Sequence, residues 1–569
     1  MSLQPQKLLA FACVSLFAFV ANAQQPDHVY FNGKILTVDA EFSIAEAIAV
    51  SDGRISAVGT NAEIRNLAGS ESTEVDLEGR TVIPGLIDNH MHYMRGASRW
   101  RFEARIDGVT SRKKALEIIR NKVKQVGPGE WVFVLGGWNE QQFADAPGGF
   151  TTEELDAAAP DNPVFIQKSY SRTYMNSLAE KALSQSGGTG GGNTGGGNRS
   201  NRQGNTGNSG RSTGRTQGNG SQTGRSSSRR SGGARTVINQ ATRFVPARSD
   251  EERVDDMSYF NSVLNRHGLT TVYDVGRASD GNFDPVQTLA SNGDLTLRVF
   301  HSLRYQANNP LETSEAVRMI KSSKPRSGDD WFGLIGIGEH TYNPLHDSSM
   351  RQSFYGDDVW AQFDKLAITA AEGGWHIHEH AQRDSTAARM LDIAERINKI
   401  HPMKDLRWTI AHCDLISRES IERAKELGMT LAIHNKTAKP SVDGRDSPPV
   451  SWMEESGIVW GLGSDSTVVS TINPFHSLWW VTSGKVFPSK ISIRTPVSRQ
   501  AALVAHTRSN AFLMFKEKNL GSLEVGKWAD LVVLDRDYMT VDVDEIRDIK
   551  PIKTIIGGKI VFDSESDKP

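Results

Sequence analysis

The sequence predicts an α/β chain: a (β/α)8 TIM-like barrel carrying a small β-sandwich built from both chain ends. Three observations predict it. Apolar, β-rich runs alternate with amphipathic helical stretches over most of the 569 residues, which is the pattern of a parallel sheet, and their number suits a closed barrel. The two ends carry short strands separated by turn residues instead. Composition excludes the main competitors. Only one long apolar run is present, unlike a polytopic membrane protein, and two cysteines cannot build a disulfide scaffold or a four-cysteine zinc site. A formal charge of −2 gives no support to nucleic-acid binding by the barrel.

The elements follow in chain order. Lys7, the apolar run 8–20 and Ala21-Asn22-Ala23 read as a signal peptide, residues 1–23, with a mature start at Gln24 and a periplasmic or secreted destination. The run is too short for a transmembrane anchor, which needs roughly 20 apolar residues. Cleavage there leaves Cys413 as the remaining cysteine. Residues 24–80 supply strands 28–38, 45–50 and 54–58, with the turn Ser51-Asp52-Gly53 between the last two; this is the N-terminal part of the sandwich. Residues 81–519 form the barrel. Its candidate strands are 81–88, 131–135, 163–167, 270–275, 297–301, 332–338, 375–380, 407–412, 430–434 and 459–464, with helices at 111–126, 250–266, 384–397 and 417–427 between several of them. Ten runs exceed eight, so strands two and three are not assigned. Residues 520–569 complete the sandwich with runs 531–534, 552–556 and 559–562 and the turn Gly557-Gly558.

One segment departs from all of this. Residues 186–235 hold 17 Gly and 8 Arg and no acidic, lysine or aromatic residue. Such a composition buries too little apolar surface to offset its conformational entropy, so a disordered surface insertion is expected. An Arg-rich arm for polyanions is the other reading, and the absence of stacking aromatics speaks against it. Without Lys7 and those 8 arginines, the −2 of the whole chain becomes −11 for the rest.

The chemistry gathers at strand ends. In Pro84-Gly85-Leu86-Ile87-Asp88-Asn89-His90-Met91-His92, residues two apart face one side of a strand, so His90 and His92 project together. Two imidazoles make half of a divalent metal site. His380, His412 and Asp465 each close a further run. Singly, each has a plainer explanation, a hydrogen-bonded core histidine or a helix N-cap aspartate. Together, four strand-terminal histidines and an aspartate point to a Zn²⁺-type ion with a carboxylate beside its water. In His376-Ile377-His378-Glu379-His380 the three imidazoles share a face, but alternate residues lie about 6.6 Å apart along a strand, so one of them reaches the metal's height. His380 is the choice and His378 the alternative. His340 and His434 are candidates for substrate contact or support of the ligands, and Cys413 reads as packing.

These motifs resemble the metal-dependent amidohydrolase superfamily, specifically its amidohydrolase 3 (YtcJ-like) branch. The resemblance extends through Trp131–Trp138 with Asn139-Glu140, 270–276, His380-Ala381-Gln382-Arg383-Asp384, Gly463-Ser464-Asp465 and 521–534. It implies that His90, His92, His380 and His412 are metal ligands and that Asp465 is both ligand and general base, for one or two divalent ions, Zn²⁺ first among them. The implied reaction is hydrolysis of a non-peptide C–N bond (amide, cyclic amide or amidine-like) in a small-molecule substrate by metal-activated water. Two departures stand out. The lysine that bridges two metals in many relatives is missing from 334–340, where Glu339 can replace it through a carboxylate oxygen; Lys168 is the second candidate. Ser171 stands near where relatives carry a histidine before Asn176-Ser177. Ester or carbamate hydrolysis, and a secreted binding or regulatory protein on an altered barrel, are the competing functions. No transmembrane anchor is expected, and a homodimer is open.

Overall fold

The computed structural model describes residues 25–186, 231–276, 281–350, 353–435, 444–487 and 490–566. The signal-peptide residues and 187–230 of the glycine-rich segment lie outside the described residues. The last five residues of that segment do not follow the expectation: they open a helix, Ser231–Ala241. Val237, Ile238 and Ala241 give this helix an apolar face, packed with Phe133, Phe165 and Leu183.

Eight parallel strands make the barrel: β1 (Leu86–Met91), β2 (Leu269–Asp274), β3 (Arg298–Leu303), β4 (Phe332–Glu339), β5 (His376–Arg383), β6 (Thr409–Leu415), β7 (Thr430–His434) and β8 (Trp460–Gly463). They pair in that order. Every residue of β2 and of β7 is buried, as expected of strands covered by helices outside and by side chains inside. Helix starts are set by side-chain caps, for example Asn309 before Pro310–Ser322 and Ser417 before Arg418–Glu426.

The first run proves to be two strands. Thr81–Pro84 belongs to an outer sheet and β1 begins at Leu86. Gly85 makes the switch, because a Cβ there would sit 2.2 Å from Thr270 Oγ1. Runs 131–135 and 163–167 leave the barrel altogether. As Val132–Val134 and Val164–Lys168 they pair with each other, and the latter with Arg172–Met175, in a three-stranded sheet inside the long β1–β2 connection. That sheet has its own core around Ile119, Trp138, Phe143 and Leu155.

The chain ends meet in a second core. A four-stranded sheet from the N-terminal residues faces a six-stranded one in which Leu531–Leu534 lies antiparallel to Thr81–Pro84. Tyr30, Ile48 and Val50 of the first pack with Val82, Leu531 and Ile555 of the second. The hairpin turns at Asp52-Gly53 (φ 51° and 72°) and Gly557-Gly558 (φ 55° and 76°) have two left-handed residues each, the requirement of a type I′ turn. They touch: a Cβ on Gly53 would lie 2.6 Å from the Gly557 carbonyl oxygen.

One buried pair fastens this sandwich to the barrel. Arg298, at the start of β3, is fully buried and donates to both oxygens of Asp530 at 2.7 and 2.9 Å. Its guanidinium lies 4.3 Å from the Trp331 ring centroid and 4.9 Å from that of Trp528. Removing one partner strands the other charge in a dry interface. Arg298→Met is therefore expected to destabilise the protein by about 3–5 kcal/mol, read as a lower urea midpoint; an unchanged midpoint would show that the pair contributes nothing to the joint.

Candidate metal centre

The C-terminal ends of the strands converge on Glu339, the last residue of β4. Its Oε1 lies 3.1 Å from His380 Nδ1, 3.1 Å from His412 Nε2 and 3.7 Å from His90 Nε2. Its Oε2 lies 3.4 Å from His92 Nε2 and 3.5 Å from His340 Nε2. Asp465 stands across from it, with Oδ1 3.3 Å from His92 Nε2 and 3.9 Å from His90 Nε2, and Oδ2 3.9 Å from His412 Nδ1. All six residues named as ligands from the sequence are buried. They form three overlapping groups, His90/His92/Glu339, His90/His412/Asp465 and Glu339/His380/His412, each with ligand atoms within 4.8 Å of one another.

The arrangement suits a divalent cation. Four imidazoles and two carboxylates match the donor chemistry of Zn²⁺. His90 Nε2 is buried, lies between the two carboxylates and has no hydrogen-bond partner among the described residues, a position that a cation would complete. Three site residues have left-handed backbone: His412, Cys413 and Asp465 have φ of 76°, 54° and 54°. Such left-handed conformations in non-glycine residues persist where surrounding structure imposes them. Cys413 is buried, its thiol donating to the Ile410 carbonyl.

The remaining candidates lie apart or behind. Lys168 pairs with Glu140 at 2.6 Å in the separate three-stranded sheet, and Ser171 is an exposed residue of the turn in that sheet. His340 stacks on His380 with centroids 5.5 Å apart. The His434 ring lies 4.0 Å from that of His90. His378 meets the other side of His90, its Nε2 2.9 Å from His90 Nδ1.

The model of the Amidohydrolase family matches residues 73–562. The chain belongs to the amidohydrolase family. Protein LONG AFTER FAR-RED 3 of Arabidopsis thaliana is 25% identical over 94% of this chain and 91% of its own. The N-substituted formamide deformylase of Arthrobacter pascens is 24% identical over 95% and 99%. In fold, an uncharacterized metal-dependent hydrolase from Pyrococcus furiosus superposes with a TM-score of 0.56 at 18% identity, covering 90% of this chain and all of that one. As a member of this family the protein is a hydrolase of non-peptide carbon–nitrogen bonds.

Three supporting residues of this amidohydrolase are not among the candidates read from its sequence. Asp347, in the loop after β4, accepts from the backbone N–H groups of Gln382 and Arg383 at 2.8 and 2.9 Å and lies 3.3 Å from His380 Nε2. It thereby turns Nδ1 of that ring toward Glu339. Asp88 accepts from the backbone of both His90 and Ser464 at 3.0 Å, and burial pushes its carboxyl up to about 6. Asn510 donates to the carbonyls of Ile87 and Leu462 and accepts from Asn89. Asp88 sits inside a recognisable motif, whereas Asp347 and Asn510 are lone residues of a loop and a helix.

Electrostatics divides the histidines. Burial opposes charge on His380, but Asp347 and Glu339 outweigh it and push its pKa up to about 9. Burial would likewise raise Glu339, yet His340, His380, His412 and His90 hold it well below the ordinary carboxylate range. Burial, with His376 adding repulsion, takes His378 down to about 3. A cation on His380 Nδ1 would therefore have to displace a proton. Zinc affinity should therefore rise as pH climbs from 6 toward 9, with release of about one proton per ion bound there; calorimetry in buffers of different ionisation enthalpy reads this, and buffer-independent heats would contradict it. Asp347→Ala should weaken zinc binding about 10–100-fold in chelator competition; wild-type affinity would remove Asp347 from this role.

Proposed function

We propose that this amidohydrolase is an exported, metal-dependent enzyme that hydrolyses an amide, cyclic amide or amidine-like C–N bond of a small molecule, with Asp465 as general base. The observation that carries the reading is the buried Glu339, ringed by His90, His92, His380 and His412 with Asp465 opposite. The formamide deformylase activity of the Arthrobacter relative supports an acyl–nitrogen bond as the target, and the sequence of residues 1–23 supports export.

Glu339 and Asp465, with His90, His92, His380 and His412, would hold one or two cations. A divalent cation such as Zn²⁺ in this position supplies Lewis acidity toward a carbonyl oxygen and acidifies water. Asp465 then takes the proton of the attacking water at a carboxylate oxygen and returns it to the departing nitrogen. The left-handed backbone at Asp465 orients that carboxylate, and its burial limits competition from bulk water for the proton. Beside Glu339 a pocket opens between the ends of β2, β3 and β4, lined by Arg304, Tyr305, Gln306, His340 and Asn343.

Zinc-loaded protein assayed against N-formyl amines, acyl amides and hydantoin-like rings tests the proposal. Asp465→Asn should lower turnover by about 10²–10⁴-fold while metal content stays near that of the wild type. Full activity in that variant would remove Asp465 as the base. Purified protein retaining less than about 0.1 equivalent of metal when supplied with zinc would sink the metal-dependent reading.

A further inference from the structure

We propose that His378 is a positioning residue that holds His90 in the tautomer and orientation required for the cation; the inference rests on the metal reading above. A neutral imidazole has one N–H and one lone pair. His90 Nε2 faces Glu339 and Asp465 at 3.7 and 3.9 Å, so a cation at that place takes the lone pair of Nε2. The proton of His90 then resides on Nδ1, and Nδ1 is 2.9 Å from His378 Nε2. His378 is the acceptor there.

The chemistry of the acceptor follows. Metal-bound histidines generally donate their second nitrogen to a carboxylate, a backbone carbonyl or water, as His380 faces Asp347. His90 faces an imidazole instead. To accept, His378 must be neutral with its own proton on Nδ1. Its surroundings fit this state. It is fully buried, with the Tyr273 ring edge-on at a centroid distance of 5.6 Å and His376 at 6.3 Å. Its Nδ1 has no hydrogen-bond partner among the described residues, so the N–H placed there is unsatisfied, a cost that the cation on His90 must outweigh. A carboxylate in this place would add a third negative charge behind Glu339 and Asp465; an imidazole orients His90 without one.

His378 also lies in a group with His90 and His434 whose ligand atoms fall within 4.8 Å. Direct coordination by that group is the competing role. The 2.9 Å separation is a hydrogen-bond distance, shorter than the roughly 3.3 Å between two nitrogens sharing a tetrahedral zinc at 2.0–2.1 Å.

The test uses the full chain with Zn²⁺ as the probe. Wild type, His378→Leu, His378→Phe and His378→Gln are compared by chelator competition, by bound-metal stoichiometry and by melting of the metal-free proteins. The two acceptor-free replacements should weaken Zn²⁺ binding about 10–100-fold with stoichiometry unchanged. The glutamine, whose amide oxygen can accept where Nε2 did, should recover affinity to within a few-fold of wild type. Whichever of Leu and Phe retains the metal-free melting temperature decides the first comparison. Wild-type affinity in that variant overturns the proposal, as does loss of one equivalent of zinc in all three, which would make His378 a ligand. Failure of the wild type itself to bind zinc would overturn the metal reading instead, a distinguishable result.

Discussion

The first and last barrel strands meet through side chains and single backbone hydrogen bonds rather than a ladder, and the whole site depends on that seam. Asp88 holds the backbones of His90 and Ser464 together, Asp465 N–H donates to the His90 carbonyl at 2.8 Å, and Asn510 bridges Ile87 and Leu462 from outside. The contact is possible because β8 is glycine-rich. A Cβ at Gly461 would come within 2.0 Å of Asn510 Oδ1, and one at Gly463 within 2.5 Å of Asn89 Oδ1. Two absent methyl groups thus admit two amides, and the amides bring Asp465 to the His90–His92 pair. Any widening of this seam would separate the proposed base from two of the proposed ligands before it disturbed the core.

Charge explains why the centre favours a cation. Two buried carboxylates facing each other are unfavourable unless compensated. In the metal-free protein part of the compensation comes from the protonated His380 and part from the ring of imidazole dipoles around Glu339. A divalent ion offers more charge at the same location. The Asp347 contact that raises the pKa of the His380 ring is the same contact that aims its other nitrogen at Glu339.

The sequence shows some of this arrangement directly and hides the rest for physical reasons. Strand periodicity placed His90 and His92 on one face, and each of His380, His412 and Asp465 closes a hydrophobic run, because a barrel strand is apolar until it reaches the functional end. Periodicity does not reveal which sheet a strand joins. Val132–Val134 and Val164–Lys168 are covered on both sides like barrel strands and so read as two of them. It is also blind to height along the barrel, so His378 stays an alternative to His380 by periodicity alone, although their partners differ, Nδ1 of His90 and Oε1 of Glu339. Asp347 and Asn510 act on residues far away in the chain, and their own neighbours in sequence carry no trace of the role.

The sandwich sets an order on folding. Its six-stranded sheet places Leu531–Leu534 between Thr81–Pro84 and Pro551–Ile556, so the inner edge of the N-terminal strands stays uncovered until nearly the whole chain has been synthesised. Pairings this distant in sequence form slowly, and unpaired strand edges invite association with other chains in the interval. A chain threaded across a membrane N-terminus first would finish this sheet on the far side, with the last strands to emerge closing over the first.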